Sequence, residues 1–277
     1  MCGRRQRRAA QAGDTRTPFS IQSISKAFVY ALVCEGIGHH EVRELVGVDN
    51  TGLAFNSVMA IELNEGHPRN PMVNAGALAT TALMPGATAE RKWQLIVEGL
   101  SRFAGRTLEI DDEVYRSESE TNHRNRAIAR LLYSYDRMRA DPDETVDVYT
   151  RQCSLRVDAR DLAVMGATLA DGGMNPLTGD QVVAPEVCRD TLAMLAASGL
   201  YERSGEWLFE IGLPGKSGVA GGLVTVAPGK GGLGAWAPPL DAAGNSVRGQ
   251  VATAHLSRSL GLNIFASAPA ERQDTDD

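Results

Sequence analysis

The chain has 277 residues, 43% of them apolar, with 28 Lys and Arg against 34 Asp and Glu for a net charge of −6. Such proportions belong to a globular protein of one large domain or two close ones, and the acidic balance excludes a nucleic-acid surface. No apolar run approaches the ~20 residues that cross a bilayer, and the four cysteines and five histidines show no ligand spacing, so a membrane protein, a zinc finger and a disulfide framework are excluded and a cytoplasmic protein is expected.

Arg4, Arg5, Arg7 and Arg8 have no apolar stretch behind them and read as a surface segment, not a secretory signal. Ile24, Ala27, Phe28 and Ala31 then follow i, i+3, i+4, i+7 and predict an amphipathic helix ending near Gly36. Further helices are predicted from about Ala89 to Phe103, with Trp93, Ile96, Val97 and Leu100 on one face, and from Asn125 to Tyr135. Asp158 is a candidate N-cap for a helix carrying Leu162, Met165 and Leu169 and stopped by Gly172-Gly173, and Pro185 suits the first turn of the next. After Gly199 the texture changes. Leu208–Leu213, Gly218–Ala227 and Leu233–Ala237 read as adjacent antiparallel strands, and Val247 to Leu260 as a closing helix. An early helix and late strands bracket a helical middle. The expected division is an α/β unit of residues 1–60 and 200–265, a helical lobe of residues 61–199, and a polar, disordered tail at 266–277, with a site in the cleft between lobes.

Two motifs carry chemistry. Ser23-Ile24-Ser25-Lys26 places a hydroxyl and an amine three residues apart at a helix start, on one helical face. A desolvated lysine of depressed pKa can take a serine's proton, and the N–H groups of a helix start suit an oxyanion. Far downstream, Lys216-Ser217-Gly218 stands at the start of a predicted strand. Ser-x-x-Lys followed by a Lys-Ser-Gly strand is the signature of penicillin-recognising serine enzymes, where the strand edge binds substrate across from the serine.

Longer strings narrow the reading. Phe19-Ser20-Ile21-Gln22-Ser23-Ile24-Ser25-Lys26, Asn70-Pro71-Met72-Val73-Asn74-Ala75-Gly76-Ala77 and Lys216-Ser217-Gly218-Val219-Ala220-Gly221-Gly222 resemble the serine-dependent glutaminases. So do Ser117-Glu118 with Arg124-Asn125, and Leu240-Asp241-Ala242-Ala243-Gly244-Asn245-Ser246-Val247-Arg248-Gly249. The resemblance runs from about Gly13 to about Leu262. It implies an α+β, β-lactamase/transpeptidase-like fold, hydrolysis of L-glutamine to L-glutamate and ammonia, no metal or organic cofactor, no membrane partner, and a homo-oligomer, dimer or tetramer. It also implies that Ser23 is the nucleophile and Lys26 its base. Asn74, Glu118, Asn125, Tyr149, Tyr201 and Val219 fall on glutamine-binding positions, with Tyr201 also a proton relay and Val219 giving its N–H to an oxyanion hole.

Taken one at a time these residues are less decisive. Glu118 alone is as readily a solvated loop acid, Asn74 and Asn125 turn residues or caps, and Tyr149 a core tyrosine. Family members also carry a segment ahead of the Gly13-Asp14-Thr15 stretch, with the leading strands and a tyrosine placed against the serine. Residues 1–12 hold no tyrosine, so the resemblance implies a shortened chain, poorly stable and weakly active or inactive. Two alternatives remain open: a glutamine-binding remnant without catalysis, and a penicillin-recognising hydrolase, which turnover of nitrocefin rather than glutamine would reveal.

Overall fold

The computed structural model describes residues 9–267, so the opening arginines Arg4–Arg8 and the tail beyond residue 267 lie outside the described residues. A two-residue strand, Phe19–Ser20 (β1), leads into a 3-10 turn at Gln22–Ile24 and then the helix Ser25–Ile37 (α1). The pattern predicted one apolar face for α1. The helix is instead buried nearly all round, Lys26 and Tyr30 included, because four neighbours pack on it: His39–Val46 (α2), Asn74–Leu83 (α4), Ala89–Ala104 (α5) and Pro185–Ser198 (α10), with the short Met59–Glu62 (α3) between the first two.

Asp112–Thr121 (α6), His123–Ser134 (α7) and Pro142–Cys153 (α8) follow α5. Asp111 and Asp141 cap α6 and α8 by accepting backbone N–H bonds, and Pro142 fills the first turn of α8 where its missing N–H costs nothing. Arg156–Val157 (β2) pairs antiparallel with β1, Phe19 opposite Val157. Ala159–Ala170 (α9) then starts on the expected cap: Asp158 accepts from the N–H of Asp161 while Asp161 reaches back to Asp158, a reciprocal capping box.

Beyond α10 the chain departs from its predicted strands. Leu208–Leu213 is not extended: a 3-10 turn at Tyr201–Arg203 continues into the helix Ser204–Glu210 (α11). Trp207 and Ile211, four apart, face a small core while Phe209 is 85% exposed. A short apolar run does not distinguish strand from helix by its periodicity, which is why this one reads either way. Gly215–Ser217 (β3) is a strand of its own, and the residues from Gly218 to Gly221 form a turn into Gly222–Ala227 (β4), followed by Gly231–Trp236 (β5) and the closing helix Val247–Ser259 (α12). The sheet order is β3-β4-β5, antiparallel, with Lys216 opposite Val224 and Val224 opposite Gly234.

Helix α9 lies across β4 and β5. Its approach is permitted by the glycines of β5, since a Cβ on Gly234 would stand 1.9 Å from the Ala159 carbonyl oxygen and one on Gly232 2.2 Å from the Ala167 nitrogen. Phe19 stacks on Trp236 at 5.6 Å between centroids, tying β1 to the outer strand. One apolar core runs from Phe19 and α1 through the helices to Val224 and Val226, so the turn bearing Ser23 sits where helices and sheet meet. No helix among the described residues is long and apolar enough to cross a membrane.

Candidate active site

Ser23 lies in the middle of the 3-10 turn that precedes α1 and is partly exposed. Gln22, just before it, has φ of 51°. A left-handed glutamine is strained, and such strain persists only where its surroundings hold it. Here the Ser25 hydroxyl donates to the Gln22 carbonyl at 2.8 Å, and the Gln22 amide donates to Ser20 Oγ at 3.2 Å and Glu118 Oε1 at 3.4 Å. Glu118, 96 residues away on α6, thereby reaches the turn that bears Ser23.

Lys26 is buried one helical turn beyond Ser23. Its Nζ donates to Asn74 Oδ1 at 2.7 Å and to the Met72 carbonyl at 3.2 Å, with no carboxylate partner among its hydrogen bonds. Desolvation lowers its pKa from 10.5 to about 8, opposed by Cys153. Asn74 opens α4 and passes the chain onward, its Nδ2 donating to Asn125 Oδ1 at 2.9 Å. Lys26, Asn74 and Asn125 thus form a continuous line along one wall.

Two tyrosines close on the serine. Tyr149, from α8, and Tyr201, from the 3-10 turn before α11, both stand beside the Ser23 side chain. Burial pushes the Tyr149 phenol well above the usual tyrosine range and Tyr201 up to about 12, and the neighbouring Ser23 hydroxyl works to pull both down. Both phenols are therefore neutral near pH 7, able to donate or relay a proton and not to act as resting bases. Tyr201 itself holds a φ of 58°, a second left-handed residue in the site, and its hydroxyl donates to the Ser217 carbonyl at 3.2 Å.

Lys216 is a lysine whose own place in the site the sequence reading did not define. It is buried in β3, donates to the Ser217 carbonyl at 2.9 Å, and lies 4.1 Å from the Tyr201 ring centroid. Burial first, and then the charge of Lys26, lower its pKa well below the ordinary value. Cys153, four residues after Tyr149, is a second group missed: its thiol meets the Tyr149 phenol and lies 3.8 Å from Ser25 Oγ, and burial pushes it up to about 11. The Lys-Ser-Gly motif pointed toward Lys216. Nothing local marked Cys153.

Val219 sits on the β3–β4 turn with its side chain 46% exposed, and its N–H has no hydrogen bond among the described residues. The turn is pressed against the residues that precede Ser23: a Cβ built on Gly218 would lie 3.0 Å from the Ile21 carbonyl oxygen and 3.3 Å from Gln22 Cβ. Glycine allows this close backbone approach. Hydrogen bonds join Lys26, Asn74 and Asn125 in one line and Glu118 to Gln22 in another, Tyr149 and Tyr201 stand beside Ser23, and Val219 joins the group by proximity of its turn. Among the described residues no group of three or more His, Cys, Asp or Glu gathers in a way that could hold a metal ion.

Known proteins resemble this chain over nearly its whole length. The glutaminase family profile matches residues 3–265. A protein named Glutaminase 2 from Yersinia pestis is 59% identical over 258 residues, covering 93% of this chain and 76% of the relative. A glutaminase of Bordetella avium is 53% identical over 257 residues, covering 93% and 82%. Among solved structures, the probable glutaminase ybaS superposes with a TM-score of 0.91 at 48% identity, covering 92% of this chain and 83% of that one. A Bacillus glutaminase gives 0.88 at 37% identity, covering 91% and 87%.

Proposed function

The chain belongs to the glutaminase family, an amidohydrolase family of β-lactamase-like α+β fold, and on that premise we propose that it hydrolyses L-glutamine through a γ-glutamyl ester of Ser23. The observation that carries the reading is the convergence on one hydroxyl of two neutral phenols, beside a buried lysine whose pKa has fallen to about 8.

Neutral Lys26 takes the Ser23 proton as Oγ forms a bond to the side-chain amide carbon of glutamine. The resulting oxyanion accepts hydrogen bonds from the N–H groups of Ser23 and Val219. Collapse breaks the C–N bond, and the proton held by Lys26, relayed through Tyr201, leaves with the nitrogen as ammonia. Water then attacks the ester, giving its proton to Lys26. The C–Oγ bond breaks, the proton returns to Ser23, and glutamate departs. Glu118 pairs with the α-ammonium, and Asn125 and Tyr149 address the remaining polar groups. Asn74 contributes chiefly by holding Lys26, since its oxygen and one N–H are already engaged.

The cleft lies between the unit of residues 1–60 with 200–265 and the lobe of residues 61–199. We read the protein as a cytoplasmic homo-oligomer, dimer or tetramer. The buried free thiols of Cys34, Cys153 and Cys188 suit a reducing compartment, and exposed Val247 and Val251 on α12 offer apolar surface to a second copy. Light scattering tests the assembly. For the chemistry, Ser23→Ala is expected to bind glutamine within a few-fold of the parent yet release no ammonia, and acid-quenched parent enzyme to carry a glutamyl mass on the Ser23 peptide. Turnover by Ser23→Ala within tenfold of the parent refutes the assignment.

A further inference from the structure

The segment Leu240-Asp241-Ala242-Ala243-Gly244-Asn245-Ser246 takes no part in the chemistry above, yet it is tied closely to the site. Asp241 organises it. One carboxylate oxygen accepts the N–H of Ala243 at 2.9 Å and of Asn245 at 3.0 Å, the other accepts from Gln250 Nε2 at 3.1 Å, and the Arg203 guanidinium stands 3.6 Å away. Burial works to raise this carboxyl, and the Asn245 N–H with the other donors outweighs it and holds the group below its ordinary value. Arg203 ends the 3-10 turn that presents Tyr201, so Asp241 links the loop to that turn.

Asn245 is fully buried, and its Oδ1 accepts the Ser217 hydroxyl at 2.5 Å. The Ser217 carbonyl in turn accepts from Tyr201 and from Lys216. A Cβ placed on Gly244, whose φ is +90°, would lie 3.7 Å from Val219 Cγ1 and 3.9 Å from Tyr201 Cε2, so the loop passes near both. The Asn245 Nδ2 is buried without a hydrogen-bond partner among the described residues. The Asn245 amide thus satisfies the buried Ser217 hydroxyl while leaving its own Nδ2 unpaired, a destabilising arrangement for a buried donor.

We infer that Asn245 is a positioning residue of the reaction: by fixing Ser217 Oγ it sets the end of β3, and with it the turn that aims the Val219 N–H at the oxyanion. The inference rests on the reading of Val219 as an oxyanion donor. A bond to Ser217 Oγ anchors the strand one residue before Gly218, the point where the turn presses on Ile21 and Gln22. A donor that meets only the developing oxyanion affects kcat, whereas a contact to ground-state glutamine would appear in KM.

The test is a double-mutant cycle on the full chain with Ser217→Ala, Asn245→Ala and both together, read as kcat and KM for ammonia release beside the thermal midpoint. Each single variant is expected to lose about 10- to 100-fold in kcat, short of the loss on removing an oxyanion donor outright, with KM within about threefold. The double variant is expected to be no worse than the weaker single, because one shared bond is broken in all three. Asn175→Ala serves as a structural control. It removes a buried amide that bonds the Arg102 and Phe103 carbonyls and none of the groups named above, and is expected to lower the midpoint while kcat holds. Parental kcat in the single variants, a loss confined to KM, or losses that multiply in the double variant overturn the inference. Should Asn245→Ala not fold, Ser217→Ala decides by the same criterion. Ser23→Ala in the same assay separates the two levels: its turnover would overturn the serine reading and this inference with it, whereas an inactive Ser23→Ala beside fully active Ser217→Ala overturns this inference alone.

Discussion

Replacing Gly218 by alanine perturbs the oxyanion side of the site by geometry alone. Gly218 is not among the residues of positive φ, so alanine meets no backbone penalty there. The new Cβ would stand 3.0 Å from the Ile21 carbonyl oxygen and 3.3 Å from both Gln22 Cβ and Ile24 Cγ1, short of ordinary contact by a few tenths of an ångström. Those atoms flank Ser23 in a turn pinned by Ile21 N to the Leu155 carbonyl at 2.8 Å and by Ser25 to Gln22. The side that yields is the β3–β4 turn, which carries Val219 away from the serine by about the same few tenths. Removing an oxyanion donor outright costs roughly 10²–10³ in kcat, so a stretched one should cost about 10- to 30-fold, or about 1.4–2 kcal/mol of barrier. KM should stay within about threefold. The overpacking itself costs about 1–3 kcal/mol, a fall of several degrees in thermal midpoint for a chain of this size. Ammonia release across a glutamine titration, beside a thermal melt, measures both. Gly205→Ala in α11 is the control, since its Cβ meets nothing within 4 Å and should be neutral or slightly stabilising. A Gly218→Ala enzyme with kcat within twofold of the parent would refute the argument.

With Lys26 titrating at about 8, kcat/KM should rise with pH through 8 and fall about tenfold per pH unit well below it. Lys26→Met should lose that limb along with most activity, and an unchanged profile would remove Lys26 as the base. The same residue sets a stability trend. Folded Lys26 releases its proton at about 8 while the unfolded side chain keeps it to about 10.5, so the unfolded state binds more protons in that window and stability rises with pH across it. The fall from 10.5 to about 8 corresponds to about 3 kcal/mol at 1.36 kcal/mol per pH unit, fully present above 10.5 and lost below 8. Urea midpoints of parent and Lys26→Met at pH 7 and 10.5 should differ in their pH dependence by about that amount, and parallel curves would contradict it. Glu118→Gln should mainly raise KM, because its pair with the α-ammonium exists in ground and transition states alike. A fall in kcat at constant KM would assign Glu118 to the chemistry.

The sequence alone carried the pair proposed to react. Ser23 and Lys26 share a helical face by spacing, and the Lys216-Ser217-Gly218 strand matched them in kind. Helices α5, α9, α10 and α12 were legible for the same local reason, since apolar period, the Asp158 cap and Pro185 are written within a few residues of where they act. The start of α8 was as plain in Asp141-Pro142, although its helix was not picked out. Other features depended on what came to lie against them. Leu208–Leu213 folds as helix because Trp207 and Ile211 find a small core on one side, and α1 is buried all round because four helices cover it. Gly232 and Gly234 of β5 read as a weak strand until α9 lies across them. The chemistry of the site belongs to this second kind. A lysine with pKa near 8, a Lys216 whose pKa is lowered by burial and two neutral phenols beside Ser23 follow from burial by segments up to about 190 residues apart in the chain. Spacing fixes which groups share a local face, but the solvent each group loses, and therefore its charge, is set only when distant segments close over it.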